Sequence, residues 1–430
     1  MSFFTCLRVG LCACLIANTS IAWAISTLPT ALPGQPPSSH RGAEALGLYL
    51  NRILDESPEI QAAQATVDAE RARLQGAGMP LYNPELELEA ERVSGISNFG
   101  VGLSQTIDLY GKRTLLEQAA RANLAAVQAR LDALRQQKAI ELLDALIRIL
   151  NSKEITSLAK QRFQLLDRFQ TLAEQRQSAG DIPSVEVELA RLAATEAAMA
   201  HAHAGADLVE AKGDFNALAG QLPVEQINMP ATLPIQLPGK QEDEQHARNH
   251  PDVRQAQLLV QAARMQINAV DRERKADPTL GLMGGRDDEE NKITLSLSIP
   301  LYVNNDFSSN TRVARAKALQ AEQEAHQAYR ATLAKLQTAR ERYRLIAQAW
   351  RVWISRGQTS LEQQSKSLEK LWRAGELETT EYLVQLQQIL NTRIAGAELQ
   401  GDLWSAWIDW QGATGQIFRW TSSLNSEMKQ

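Results

Sequence analysis

One unit is written twice in this chain, and that duplication limits what it can fold into more than any other feature. Ser57-Pro58-Glu59-Ile60 opens a helical stretch, and His250-Pro251-Asp252-Val253 opens another about 193 residues later. Each runs to a second proline, in Asn83-Pro84-Glu85 and Asp277-Pro278-Thr279. Two short alternating segments follow in each copy. Val101-Gly102-Leu103-Ser104-Gln105-Thr106-Ile107-Asp108-Leu109-Tyr110 matches Ile293-Thr294-Leu295-Ser296-Leu297-Ser298-Ile299-Pro300-Leu301-Tyr302 almost position for position. Both copies continue into a long helical stretch that ends at glycine, in Ala179-Gly180-Asp181 and Ala374-Gly375-Glu376. Self-similarity at one offset marks a duplicated structural unit.

Within each unit the hydrophobic period switches. Residues 111–178 and 303–373 contain no proline and very few glycines, and apolar residues recur at three and four, as in Leu142, Leu146, Ile149 and Leu150. Helices of that length reach on the order of 100 Å, whereas helices in compact domains run three or four turns. Return helices are expected over 183–218, with Pro183 in the first turn, and over 379–415. Ala190, Ala193, Ala194, Ala197 and Ala198 make a small-residue face suited to close helix–helix approach. The expected fold is mainly α with a small β part: a duplicated unit of long antiparallel helices plus two β-hairpins. The first repeat covers 57–220 and the second 250–418. A polar, proline-bearing strap spans 221–249, an extended arm spans 25–56 (Pro29 to Pro37 within it), and 419–430 is a tail.

The first residues read as a secretory signal over 1–24. Arg8 is the positive n-region, Val9 to Ala17 the apolar core, and Ala22-Trp23-Ala24 a small-x-small cleavage site that puts the mature start at Ile25. The alternative is a lipoprotein box at Leu11-Cys12-Ala13-Cys14, with Cys14 lipidated. All three cysteines, Cys6, Cys12 and Cys14, lie in that signal, so cleavage leaves no thiol for disulfides, metal sites or nucleophiles. The net charge is −5, and no basic block interleaved with aromatics points to nucleic acid. No window after residue 24 has about twenty uninterrupted apolar residues, so any membrane crossing needs a closed β-barrel.

Four segments fit such a wall, expected at about 85–93, 98–108, 279–286 and 292–300. Glu85, Glu87, Glu89 and Glu91 alternate with Leu86, Leu88 and Ala90. Phe99, Val101, Leu103 and Ile107 share one face of the second segment, and Ile293, Leu295, Leu297 and Ile299 one face of the fourth. Segments of about nine to eleven residues match a tilted strand crossing an outer membrane, apolar side to lipid and polar side to lumen. Each hairpin alone could equally pack on a soluble core with one face wet. The secretory signal and the long helices favour the barrel. Four strands cannot close one, since about eight are needed; three copies would supply twelve.

The junctions Gln105-Thr106-Ile107-Asp108-Leu109-Tyr110-Gly111-Lys112-Arg113 and Ser298-Ile299-Pro300-Leu301 carry a family resemblance. So do the turns Arg176-Gln177-Ser178-Ala179-Gly180-Asp181 and Arg373-Ala374-Gly375-Glu376. From about Ala43 to Phe418 the chain resembles the outer-membrane factors of tripartite efflux pumps and type I secretion systems, the TolC family, and most of all its heavy-metal branch. The resemblance implies a homotrimer with a twelve-stranded barrel in outer-membrane lipid and a twelve-helix periplasmic tunnel. It also implies that the glycine turns form a periplasmic tip docking an adaptor (membrane fusion) protein, which joins an RND-type inner-membrane pump. One departure stands out: Asn304-Asn305-Asp306-Phe307 replaces the Asn-Arg-Asn-x-Gly-like turn expected after the second junction.

No phosphate loop, nucleophile elbow or zinc-protease motif is present, so neither an enzyme nor a cofactor is expected. His246 and His250, four apart beside Glu242, Asp243 and Glu244, form a weak candidate metal pair by ligand type, with a solvated surface strap as the plainer reading. Trp404, Trp407 and Trp410, like Trp350 and Trp353, recur at helical spacing and read as core or subunit interface. Glu85, Glu87, Glu89 and Glu91 are candidate lumen acids, because acidic rings favour cations; the second hairpin loop adds Asp287, Asp288, Glu289 and Glu290. Ala179, Gly180, Asp181, Ala374, Gly375 and Glu376 are the candidate docking tip. Arg176, Arg373, Glu376, Glu378 and Glu381, with Asp181, Glu186 and Glu188, are candidate gate and selectivity residues. The leading expectation is a passive export conduit of a tripartite pump, with metal cations as cargo. The rivals are a type I protein-secretion channel and a soluble periplasmic coiled-coil scaffold.

Overall fold

The computed structural model of the chain describes residues 46–93, 96–220, 233, 242–287, 290–374 and 376–427. The signal with its alternative lipidation site, Pro29 to Pro37, most of the strap, Asp288, Glu289 and Gly375 lie outside the described residues.

Chain order follows the duplication. After α1 (Leu46–Glu56), the first repeat runs α2 (Pro58–Ala77), β1 (Glu85–Val93), β2 (Ile96–Thr106), α3 (Lys112–Ser178) and α4 (Ser184–Ala219). After α5 (Asp243–Asn249), the second runs α6 (Pro251–Glu273), β3 (Thr279–Asp287), β4 (Glu290–Ser298) and α7 (Ser308–Val352). A π-helical turn at Trp353–Gly357 leads into α8 (Gln358–Arg373), then α9 (Thr379–Thr414) and α10 (Ile417–Glu427). With 67 residues, α3 is about 100 Å long. The alanine face of α4 explains its seat on α3: Ala190 and Ala197 are fully buried, and methyl-sized side chains let two backbones approach.

The four strands form one antiparallel meander in the order β1-β2-β3-β4. The central pairing joins the repeats, from Phe99 opposite Arg286 to Thr106 opposite Thr279. One sheet is therefore assembled jointly by both copies.

Two apolar clusters hold the helices. At the waist, Tyr49 and Leu54 of α1 and Ile417 and Trp420 of α10 pack with Leu143, Leu146, Phe215, Tyr343, Trp407 and Ile408. Toward the glycine turns, Leu166, Phe169, Val187, Trp372, Tyr382 and Leu386 lock the α3–α4 hairpin to α8 and α9. Each such side chain, fully buried, contributes about 1.5–3 kcal/mol.

Five expected boundaries need correction. Residues 46–56 of the arm are helical, because Leu46, Tyr49, Leu50, Ile53 and Leu54 make a three-and-four stripe that the waist buries. The tail is helical from Ile417 for the same reason, and the end of the strap, Asp243–Asn249, is α5, tied down by a buried Arg340–Asp243 pair. Expected to run unbroken over 303–373, the second long helix starts at Ser308 and yields to the π turn. Finally, β2 starts at Ile96 and stops at Thr106, before the backbone turns at Asp108 to cap α3.

Candidate functional site

The sheet sorts its side chains by parity. Glu85, Ser104, Gly281 and Ser296 share one row; Glu87, Gly102, Met283 and Thr294 the next; Glu89, Gly100, Gly285 and Lys292 a third. The opposite face has the rows Leu86-Leu103-Leu282-Leu295 and Leu88-Val101-Gly284-Ile293. Among the described residues nothing covers that apolar face: Leu86 is 65% exposed, Leu88 68%, Ile293 81% and Leu295 78%. Two hairpins packed on a soluble core would bury those residues. The bare face excludes that arrangement for the described chain. All four candidate acids thus lie together on the polar face, beside serine, threonine, glycine and one lysine.

Where strand meets helix, the two repeats are latched together. Gly111 takes a left-handed φ of 67° ahead of α3, and the Asp108 carboxylate accepts the N–H groups of Lys112 at 2.9 Å and Arg113 at 3.0 Å. Lys112 reaches across to Asp277 Oδ2 at 2.9 Å, with both side chains buried, and donates to the Lys275 carbonyl at 2.6 Å. Tyr82 donates to the same carboxylate oxygen at 2.8 Å. Burial and that carboxylate push its phenol up to about 12. In the sequence Asp277 marks the repeat and Lys112 belongs to the junction motif, but nothing in their spacing announces a bond across 165 positions. In the second copy Phe307 occupies the left-handed position at φ 56°. Asn305 and Asp306 cap the turn through the N–H groups of Phe307 and Ser308, each at 3.0 Å. The departure from the family turn is therefore accommodated locally, and Phe307 rests edge-on against Tyr302.

At the far ends of the long helices the chain reverses alike in both repeats. Asp181 N–H donates to the Arg176 carbonyl at 2.9 Å, and Glu376 N–H donates to the Leu371 carbonyl at 3.0 Å. Gly180 has φ 83°, a conformation that costs glycine nothing. Ala179, Gly180, Asp181, Ala374 and Glu376 are exposed, as are Glu188, Glu378 and Glu381. Glu188 pairs with Arg191 and Glu381 accepts from Gln385. Arg176 does not bridge to these acids: its guanidinium lies over the Trp372 ring, 5.3 Å from the centroid. That ring stacks on Tyr382 at 4.8 Å and meets Phe169 at 4.9 Å. This aromatic clasp was not legible beforehand, because its members come from three helices.

His246 and His250 both make hydrogen-bonding contacts within the fold. His250 caps α6, its ring accepting the Asp252 N–H at 3.3 Å and lying 3.1 Å from the Gly412 carbonyl. His246 meets Gln416 at 3.2 Å. Both are part-buried rather than solvated, and among the described residues no group of three or more His, Cys, Asp or Glu is placed to hold a metal. Trp407 and Trp410 are waist core, 5.1 Å apart. Among the described residues no helix is long and apolar enough to cross a membrane.

A shaft of very long paired helices carrying a sheet with one bare apolar face is the build of a membrane channel subunit. Residues 49–221 and 244–416 each match the outer membrane efflux protein family, and the chain belongs to that family. The double match falls on the two repeats. The fold is similar to that of CusC, solved in a study of folding and transmembrane channel formation, with 17% identity over 86% of this chain and 92% of that one and a TM-score of 0.70. The CmeC outer membrane channel of Campylobacter jejuni shares 14% identity over 90% of this chain and 89% of its own, with a TM-score of 0.72. VceC, an outer membrane protein of Vibrio cholerae, shares 18% over 86% and 96%, with a TM-score of 0.69. At such identities the likeness speaks for the fold alone. No curated protein sequence matches the chain.

Proposed function

We propose that three copies of the chain close their four-stranded sheets into one twelve-stranded barrel in the outer membrane, and that their helices form a periplasmic tunnel below it. The uncovered apolar face carries this reading, since soluble proteins rarely expose so large a patch and lipid is the environment that such a face suits. The end strands β1 and β4 support it: each is paired on one side only, and a neighbouring copy satisfies the other. Tyr110 and Tyr302, just beyond the sheet, fit the aromatic girdle at a membrane interface.

The conduit is passive and takes its energy from an RND-type inner-membrane pump, through an adaptor docked on the turns around Gly180 and Gly375. Its cargo is metal cations. Support comes from the four carboxylates on the lumen face, repeated in each copy, which draw cations and repel anions.

Two measurements test this. Light scattering on detergent-solubilised protein gives the mass of three chains, and planar bilayers show discrete conductance with cation preference. Changing Glu85, Glu87, Glu89 and Glu91 together to glutamine lowers that preference severalfold. A soluble monomer overturns the channel; unchanged selectivity overturns the cation reading. For docking, Gly180→Trp with Gly375→Trp abolishes export while trimers still reach the membrane, and retained export overturns that role.

A further inference from the structure

We propose that Arg92 and Arg286 form a binding site for the phosphorylated headgroup of an outer-leaflet lipid, at the loop end of the sheet's apolar face. The inference rests on the reading of that face as the lipid-facing wall of a barrel. Moving along the face from the helix junctions, the rows run Gln105-Leu280-Leu297, then Leu86-Leu103-Leu282-Leu295, then Leu88-Val101-Gly284-Ile293. The next row is Ala90-Phe99-Arg286-Asn291, and Arg92 opposite Ser97 comes one step further. An apolar band therefore ends in an aromatic ring and two guanidinium groups.

Both arginines are exposed, and neither forms an ion pair among the described residues. Strand parity explains this. Glu89, Glu91 and Glu290 stand on the opposite face, so the sheet separates its carboxylates from these two cations. A guanidinium at the edge of the hydrocarbon reaches the interface at little cost, and there the anions of lipid headgroups are within its reach. Phosphate is the matching anion, because the planar guanidinium donates two parallel hydrogen bonds to it. With strands about 4.8 Å apart and a rise of about 3.4 Å per residue, the two α-carbons lie roughly 12 Å from each other. That gap suits a headgroup with two phosphates, one to each arginine. Acyl chains of the same lipid would lie along the leucine rows beneath, and a soluble anion has no use for those rows.

The test uses the full chain purified in detergent, titrated with lipid A carrying both phosphates, with its monophosphoryl form, and with inorganic phosphate. Native mass spectrometry should show bisphosphoryl lipid retained at least tenfold better than monophosphoryl lipid, and inorganic phosphate should not compete at millimolar concentration. Arg92→Gln with Arg286→Gln should remove the preference, whereas Arg92→Lys with Arg286→Lys should keep part of it through charge alone, which separates lost charge from lost folding. Equal retention by wild type and the glutamine variant overturns the site, and so does competition by free phosphate. The barrel itself is tested separately by Leu295→Trp and brominated phosphatidylcholine. Without quenching, the lipid-facing wall fails. Quenching together with unchanged lipid retention in the glutamine variant defeats only the headgroup site.

Discussion

Asp108 shows how a single side chain secures the first turn of a helix about 100 Å long. Burial works to raise its carboxyl, but the backbone N–H groups of Arg113, Lys112, Tyr110 and Gly111 outweigh burial and hold it below the usual carboxylate range. A depressed carboxylate contributes stability that is present above its unfolded value of about 3.9 and lost as pH falls through the lower folded value. Asp108→Ala should therefore speed hydrogen exchange at the Lys112 and Arg113 amides about fivefold to tenfold at pH 7, the ~1 kcal/mol of a lost N-cap. The difference from wild type should persist at pH 5 and shrink below about pH 4. An exchange difference that ignores pH would show that Asp108 is not the cap. Asp108 was visible in the sequence as one letter of a junction motif. Its partner system, the buried Lys112–Asp277 pair, was not, because two charges far apart in sequence become a pair only once the repeats lie side by side. Removing one member of such a pair typically costs about 3–5 kcal/mol.

Among the elements, the repeats differ where sequence periodicity is silent. The helix α3 runs unbroken from Lys112 to Ser178, while its counterpart is interrupted at Trp353–Gly357. The cause is a wedge: the Trp353 indole lies against Gly357 on its own helix and Gly396 on α9, and a Cβ at either glycine would collide with the ring. A π turn inserts one extra residue and turns the ring into that slot. Apolar spacing on either side of the turn still reads as helix, which is why one continuous stretch over 303–373 was expected. Gly396→Val should force the indole out and destabilise the α8–α9 hairpin by about 1–3 kcal/mol, as overpacked cores do. Limited proteolysis should then cut near residues 353–357 at lower protease concentration than in wild type. Identical digestion patterns would show that the indole has room to move. Gly396→Ala with Trp353→Leu should restore resistance.

For the whole molecule, the proposed gate at the tip depends on what holds its charged residues. Arg176 rests on Trp372 inside the clasp with Phe169 and Tyr382. It thereby ties the α3–α4 tip to the α8–α9 tip. A cation–π contact of this kind contributes about 0.5–1 kcal/mol at an exposed site. Arg176→Gln with Arg373→Gln should raise resting conductance in planar bilayers by loosening that tie, and Glu376, Glu378 and Glu381 changed to glutamine should reduce cation preference. If neither quantity moves, the tip charges are a solvated rim and closure is set elsewhere.

What the sequence by itself determined is whatever depends on neighbours within a few turns. The long helices, the glycine reversals and the strict alternation of Glu85 to Glu91 follow from local pattern, which the backbone imposes at 3.6 residues for a helix and two for a strand, and the duplication follows from setting one half of the sequence against the other. Tertiary structure decided the rest. It made α1 and α10 part of the waist, since an eleven-residue stripe is stable only where Leu143, Phe215 and Trp407 offer a surface to cover it. It set the His250 ring against the Gly412 carbonyl, and it placed the Arg176 guanidinium over the Trp372 ring. It also aligned β2 with β3, so that leucines from both repeats form one uncovered face. Each of those outcomes is a contact between residues remote in the chain, fixed by how surfaces fit when the two halves meet.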